Sequence, residues 1–250
     1  LWIRRQRQMC IRDRFLSASD KVKRGILELC WLQREIITND MIINQIHLKD
    51  EISPHAISCA IDRNITKNIN DIDSFLIESN DHLKFSALVV MIKDPDRSKK
   101  AIEIINQTLI DGDEKEITKL LHFLKHSDYD ISEHLILKYL NSKNSELIIQ
   151  TLGMISQKHQ EQYLSNIILL LESKNVSNAA EKALLRYDKS IVCEKLLKYF
   201  SSSRSTYETK VSILGLIHQF EDRKIAKAIL SSMDNPDLKF LGECTNTLIK

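Results

Sequence analysis

The sequence predicts an all-α fold, a right-handed α-solenoid of stacked antiparallel helix pairs. Only 5 Gly and 3 Pro occur in 250 residues, which leaves little material for sheets and long loops. Apolar residues recur at helical spacing, as at Ile117, Leu120, Leu121 and Leu124. From residue 98 onward, a helix–turn–helix unit repeats about every 30 residues.

Two sets of landmarks define this repeat. The apolar anchors that end the first helices are Ile77, Ile110, Leu140, Leu171, Phe200 and Met233, at spacings of 33, 30, 31, 29 and 33. The leucines near the ends of the second helices are Leu124, Leu152, Leu184, Leu214 and Leu248, at spacings of 28, 32, 30 and 34. Because both sets drift together, we expect stacked hairpins, each covering the apolar stripe that its neighbour leaves open.

Polar turns separate the two helices of each unit. They span residues 111–116, 141–146, 172–178, 201–208 and 234–237. Their Ser, Asn and Asp side chains are expected to cap the second helices. Gly112 and Pro236 are expected to break the chain between helices.

The pattern before residue 98 is less regular. Segments 21–37 and 50–65 are predicted as amphipathic helices, and residues 74–92 as one further hairpin with its turn at 78–81. No linker rich in Pro, Gly or Ser separates these segments from the repeats. We therefore predict one continuous domain, with a less regular part over 15–97 and regular repeats over 98–250.

The first fourteen residues stand apart from this domain. The stretch Met9 to Arg14 resembles a reading frame through a transposon adapter used in sequencing libraries, so residues 1–14 are expected to be non-native. The native sequence would then begin near Phe15, inside a longer gene; the alternative is a genuine basic arm. Without this segment, Lys+Arg falls from 36 to 31, Asp+Glu from 34 to 33, and the net charge changes from +2 to −2. A nucleic-acid interface is therefore not expected.

Cysteine spacing and hydropathy bear on location. The five cysteines are widely spaced and form no CxxC pair, which is typical of reduced thiols in a cytoplasmic protein. The longest apolar runs, such as 167–171, are much shorter than the about 20 residues of a membrane span. We expect a cytoplasmic chain without a membrane span.

The unit resembles HEAT repeats over residues 70–250. The resemblance rests on the pairs Ala183–Leu184 and Ile213–Leu214, with Leu152–Gly153 as a partial match, and on the Asp-Asn-Pro-Asp turn at 234–237. The arginine that usually follows the turn in HEAT repeats is mostly missing. The resemblance implies a non-enzymatic interaction or scaffold module with a curved helical surface.

Two other functions remain open. Residues 180–200 and 235–250 resemble the HEAT region of large bacterial proteins that carry an ADP/ATP-carrier-like membrane domain. This implies a cytoplasmic regulatory segment of a nucleotide-transporter-like protein, attached to a membrane domain outside this chain. A HEAT-like DNA glycosylase is a third class. It would need a basic groove and a catalytic carboxylate, and the near-neutral charge makes it the least favoured.

The sequence contains no recognisable catalytic or cofactor motif. GxGxxG, GxxxxGK[ST], GxSxG and HExxH are all absent. His122 and His126 have the spacing of a metal-binding pair but lack a third ligand, so we interpret them as exposed helical histidines. The acidic segments 94–96 and 111–114 lack calcium-loop spacing and are interpreted as capping turns. Cys30 and Cys193 are interpreted as core residues, and no enzyme activity, cofactor or metal is expected.

One pattern indicates a binding surface. Polar residues lie two positions before the landmark leucines, between apolar neighbours: His122, Gln150, Lys182, Ser212 and Asn246. In a stacked array these positions form a column across the second helices, and HEAT proteins commonly bind protein partners there. The alternative is a solvated ridge without a partner. The earlier unit breaks the pattern, because Leu88 or Val89 takes this position.

Overall fold

The computed structural model is helical throughout its regular structure, and no strand occurs among the described residues. The all-α prediction is therefore confirmed. The structure describes residues 15, 17–28, 37–69, 71–78, 80–125, 127, 129–202, 205–217, 219, 223–232 and 238–249. The suspected adapter segment, residues 1–14, lies outside them. Contacts divide the chain into two compact units, Leu1–Tyr129 and Asp130–Lys250, whereas the regularity of the sequence changes at residue 98.

The first unit is built around one enclosed helix. Its helices are α1 (Asp20–Glu28), α2 (Asn39–His47), α3 (Ser53–Asp62), α4 (Asp81–Ile92), α5 (Ser98–Asp111) and α6 (Glu114–Leu124), with 3₁₀ turns at Thr66–Asn68 and Ile72–Ile77. Helix α4 packs against α3, the second 3₁₀ turn, α5 and α6. Residues 87–92 of α4 are continuously apolar, which fits a helix that is covered on several sides. The one buried hydroxyl of α4, on Ser86, donates to the carbonyl of Leu83.

Hairpins pair the remaining elements of this unit. Helix α2 packs on α3, and α5 packs on α6. The predicted hairpin over 74–92 is confirmed by the Ile72–Ile77 turn and α4. The predicted helix over 50–65 is shorter, since it spans Ser53–Asp62. The Asp50 carboxylate accepts from the amides of Ile52 and Ser53 in the turn before it. Helix α2 was not anticipated, and residues 29–36 lie outside the described residues.

The second unit contains four successive hairpins among its described residues. Its helices are α7 (Glu133–Leu140), α8 (Ser145–Gln157), α9 (Leu164–Leu169), α10 (Ser177–Leu184), α11 (Lys189–Phe200), α12 (Tyr207–Ile217), α13 (Arg223–Ser232) and α14 (Leu238–Ile249), with 3₁₀ turns at Glu161–Tyr163 and Leu170–Glu172. Consecutive helices pair from α7–α8 to α13–α14. Neighbouring hairpins also touch, since α8 packs on α10, α9 on α11 and α12 on α14.

Helix caps set the register of the second helices. Side-chain oxygens of Asn80, Asp113, Asn144 and Thr206 accept amide hydrogens from the first turns of α4, α6, α8 and α12. Val176 precedes α10 without a side-chain cap, which departs from the predicted Ser and Asn capping. These five positions follow one another at spacings of 33, 31, 32 and 30 residues.

Two buried rows follow from this register. Eight positions after each start lies a buried leucine: Leu88, Leu121, Leu152, Leu184 and Leu214. Eleven positions after each start lies a second buried residue: Met91, Leu124, Ile155, Tyr187 and Ile217. Since positions i and i+3 lie on one face of a helix, the two buried residues of each helix belong to the same apolar stripe of that helix.

Three of the sequence landmarks are wrong. Leu124 belongs to the later row, and Leu121 is the counterpart of Leu152. Ile77 and Ile110 do not anchor the core, because their side chains are 86% and 57% exposed. Helix α5 continues through Asp111, so Leu109 turns inward in place of Ile110. The anchors Leu140, Leu171 and Phe200 are buried as predicted, while Met233 and the side chain of Leu248 lie outside the described residues.

Gly112 ends α5 for a steric reason. A Cβ at this position would lie 2.4 Å from the carbonyl oxygen of Thr108. A residue with a Cβ does not fit at this distance from the backbone of α5. The predicted chain break at Gly112 is confirmed, and the close packing of the backbone explains why glycine is needed there.

The cysteine prediction is wrong at one position, because Cys59 is disulfide-bonded. Wide spacing in sequence does not prevent a disulfide when folding brings two Cα atoms within about 4.4–6.8 Å. The core role predicted for Cys193 is confirmed by its burial, and Cys30 lies outside the described residues. Within the described ranges, no helix has both the length and the apolar character of a bilayer span.

The adjacent leucines of α10 test the register directly. Leu184 is completely buried and Leu185 is 39% exposed. We expect Leu184→Ala to lower the free energy of unfolding by about 2–5 kcal/mol because it leaves a cavity. Leu185→Ala, the matched control, should cost less than about 1 kcal/mol. Urea denaturation measures both, and equal losses would mean that the register is wrong.

A buried tyrosine joins the ends of two neighbouring second helices. The Tyr187 hydroxyl lies 3.2 Å and 3.3 Å from the carbonyl oxygens of Ile155 and Gln160 and donates to them, and burial raises the pKa of Tyr187 well above its ordinary value. Both carbonyls also accept from backbone amides, those of Gln160 and Tyr163 respectively. Tyr187→Phe therefore removes only the hydroxyl's own hydrogen bond and should cost about 0.5–1.5 kcal/mol.

The buried Tyr163 supplies a control, since its hydroxyl makes no hydrogen bond to a described residue. Tyr163→Phe should therefore lower the free energy of unfolding less than Tyr187→Phe does. A similar loss in both variants, measured by equilibrium unfolding, would remove the structural role given to the Tyr187 hydroxyl.

Candidate partner-facing surface

Three of the five column residues share one register position. Gln150, Lys182 and Ser212 each lie six positions after the start of their helix, at Asn144, Val176 and Thr206 respectively. All three side chains are at least partly exposed. Because α8 packs on α10, Gln150 and Lys182 lie on neighbouring helices of the second unit.

The other two column residues do not follow this register. His122 lies nine positions after Asp113, and Lys119 takes the sixth position on α6. His122 is exposed in the first unit, where its ring packs edge-on against Phe123 with 5.2 Å between centroids. Asn246 is exposed on α14, but residues 233–237 before that helix lie outside the described residues.

The first unit uses the sixth position for internal packing. Ser86 of α4 is buried there. Lys119 of α6 donates to the carboxylate of Asp81 at 2.8 Å, and this hydrogen bond raises the pKa of the Lys119 ammonium. Nearby, burial and the charge of Lys119 lower the pKa of His82. Among the described second helices that share this register, an at least partly exposed polar residue without an ion pair within the unit therefore occupies the sixth position only on α8, α10 and α12.

Two glycines lie beside the column residues. Gly153 and Gly215 occupy the ninth position of α8 and α12, one helical turn after Gln150 and Ser212. A Cβ at either glycine would meet no atom within 4 Å. Glycine inside a helix costs about 1 kcal/mol relative to alanine. Because no neighbouring atom excludes a methyl group, packing within the chain does not require glycine at either position.

The side chains around the glycines have mixed character. Leu185 takes the ninth position, directly after α10 ends, and is partly exposed, and the exposed Arg186 follows it. The Ser212 hydroxyl donates to the carbonyl of Leu171 at 3.2 Å, so it is engaged inside the unit. Gln150 and Lys182 therefore supply the polar groups of this face, which can donate hydrogen bonds to a partner.

Metal and capping assignments follow from the same contacts. In the described part of the chain, no group of three or more His, Cys, Asp or Glu is placed to hold a metal ion, and His126 lies outside that part. Asp113 caps α6 in a reciprocal arrangement with Glu116, so the capping interpretation of 111–114 is confirmed. The Asp94 carboxylate accepts from the amide of Asp96, as expected for a turn.

Comparison with protein-family models, curated proteins and solved structures gives no match. Function is therefore argued from the surface of the molecule alone.

The glycines generate a stability prediction. Gly153→Ala and Gly215→Ala should each raise the free energy of unfolding by about 0.5–1 kcal/mol, because alanine is the better helix former and the space for its methyl group is open. Gly112→Ala should destabilise the chain, because its methyl group meets the Thr108 carbonyl. Thermal or urea denaturation measures all three, and destabilisation by the first two would reveal a packing role for these glycines.

Proposed function

We propose that the chain is a non-enzymatic protein-interaction module that binds a protein partner through the second helices of its second unit. The observation that carries this proposal is the repeated glycine at an open position, Gly153 on α8 and Gly215 on α12. Each glycine lowers helix stability without an internal packing reason. Close approach of a partner's backbone would explain glycine at these positions, because a Cβ would keep that backbone at a distance.

The neighbouring residues give this surface its chemistry. The Gln150 amide and the Lys182 ammonium can donate hydrogen bonds to a partner, and the exposed part of Leu185 can be buried against an apolar side chain. The face is mixed in character, which suits a helix or an extended segment of another protein. We call the set Gln150, Gly153, Lys182, Leu185 and Gly215 the column face.

We further propose that the hairpins of each unit follow one another with the right-handed sense of a HEAT-like solenoid. Hairpin-on-hairpin contacts and the spacing of 30–33 residues between second-helix starts support this arrangement. In such arrays each repeat contacts only its neighbours and equivalent positions form extended binding surfaces.

Photo-crosslinking tests the column face directly. A photoreactive phenylalanine analogue at Gln150 or Lys182 should crosslink the same partner polypeptide in extracts of the native host, as identified by mass spectrometry. The matched control carries the analogue at Lys195, a partly exposed position on α11, which is the first helix of its hairpin. The analogue at this position should not crosslink the partner.

Bulky substitutions on the column face supply the second arm of this test. Gly153→Arg and Gly215→Arg should abolish crosslinking while circular dichroism shows the same helix content and the melting temperature does not fall below that of the parent, because the space at both sites is open. Crosslinking that is absent at all positions, or equal at Lys195, would contradict the proposed function.

A further inference from the structure

Three large apolar side chains of the first unit are exposed at equivalent places. Leu48 ends α2, Ile77 ends the second 3₁₀ turn, and Ile110 lies next to the end of α5, with exposures of 63%, 86% and 57%. Each therefore lies where the first element of a hairpin gives way to the second helix. Nothing in the packing of these hairpins explains why they are apolar.

Ion pairs hold the neighbouring hairpin ends together. Lys49, next to Leu48, donates to the Ser74 hydroxyl at 2.9 Å and to the Glu78 carboxylate at 2.8 Å. Its ammonium also lies 4.9 Å from the ring centre of Phe75. Leu48 precedes Lys49 and Ile77 precedes Glu78, so the two exposed side chains belong to hairpin ends that are in direct contact. Ile110 belongs to the next hairpin, formed by α5 and α6, and both of these helices pack on α4.

The same hairpin ends carry a large excess of negative charge. The acidic residues in segments 48–53, 77–82 and 110–116 are Asp50, Glu51, Glu78, Asp81, Asp111, Asp113, Glu114 and Glu116. Only Lys49 and Lys115 oppose these eight carboxylates, which leaves a net charge of −6. Even when Lys119, which binds Asp81, is included, the excess is −5. Glu51, Asp111, Asp113 and Glu114 are exposed.

The second unit provides an internal control. The turn of its fourth hairpin, 234–237, holds Asp234 and Asp237 and no basic residue. Its other three segments, 140–146, 171–178 and 200–208, hold Glu146, Glu172 and Glu208 against Lys143, Lys174 and Arg204, a net charge of zero. Their apolar residues Leu140, Leu171 and Phe200 are buried. The second helices α8 and α12 are nevertheless capped there, by Asn144 and Thr206. Helix capping therefore requires neither the acidic excess nor the exposed apolar residues of the first unit.

We infer that this surface of the first unit, the acidic–apolar face, binds a basic amphipathic segment of a protein partner. The face comprises Leu48, Ile77 and Ile110 with the surrounding carboxylates. Lysine or arginine side chains of the partner pair with the carboxylates, and its apolar side chains cover the three exposed residues. The negative charge repels nucleic acid. The inference rests on the proposed function as a protein-binding module, but it uses no residue of the column face.

Selection from a random peptide library displayed on phage, with the full chain as bait, tests this inference. The enriched peptides are expected to carry several Lys or Arg and to place apolar residues at helical spacing. Affinity of a synthetic enriched peptide, measured by fluorescence polarisation, should fall about tenfold or more with Ile77→Ser combined with Ile110→Ser. Glu51→Gln with Glu114→Gln should weaken binding and reduce its dependence on salt.

The control variants are Leu169→Ser, at an exposed leucine of the second unit, and Gln150→Arg on the column face. Both should leave the peptide affinity unchanged. All substituted side chains are at least partly exposed, and unchanged melting curves check that folding is retained. Enriched peptides without basic residues, no enrichment, or affinity unaffected by the isoleucine variants would overturn the inference.

The two proposals fail separately. If no basic peptide binds but crosslinking at Gln150 is observed, binding at the acidic–apolar face is rejected and the proposed function is retained. Loss of crosslinking at the column face, with peptide binding intact, would remove the column face and leave this surface standing.

Discussion

Burial of one apolar stripe on each second helix is the constraint on which the rest of the structure depends. The stripe is marked by the leucines eight positions after each helix start, from Leu88 to Leu214, and by a second buried row three positions later. A single hairpin cannot cover such a stripe, because its own first helix shields only one side of it. Contacts between neighbouring second helices, such as α8 with α10, supply the missing cover. Residues that face away from the stripe are free of packing demands and can serve recognition.

Much of the fold follows from local sequence signals, and the register does not. Scarce Gly and Pro and the 3.6-residue periodicity identify helices, turns and a repeat near 30 residues. Each residue turns a helix by about 100°, so the choice between neighbouring apolar residues depends on where the helix begins. That start is fixed by a cap, and Val176 carries no capping side chain to mark it. Leu124 was misassigned although Asp113 caps its helix, because Leu121 and Leu124 are both buried at i, i+3 spacing. Ile110 was misassigned because Leu109, the residue before it, occupies the core position.

The candidate surfaces show the same division. Gln150, Lys182 and Ser212 could be found from the sequence because a buried leucine follows each at a fixed distance. The role of Lys119 could not, because its partner Asp81 lies on another helix. The glycines and the acidic segments were visible as composition, but their meaning depends on exposure. Only packing distinguishes an exposed Ile110 from a buried Leu140.

Hydrogen exchange of backbone amides, followed by mass spectrometry, tests the stacking constraint most directly. Leu152→Ala removes a buried side chain from α8, which packs on α7 and α10. Nearest-neighbour stacking predicts that protection falls most in α7, α8 and α10 and least in α14. An equal loss of protection in every helix of the second unit, or a loss confined to α8, would contradict the account.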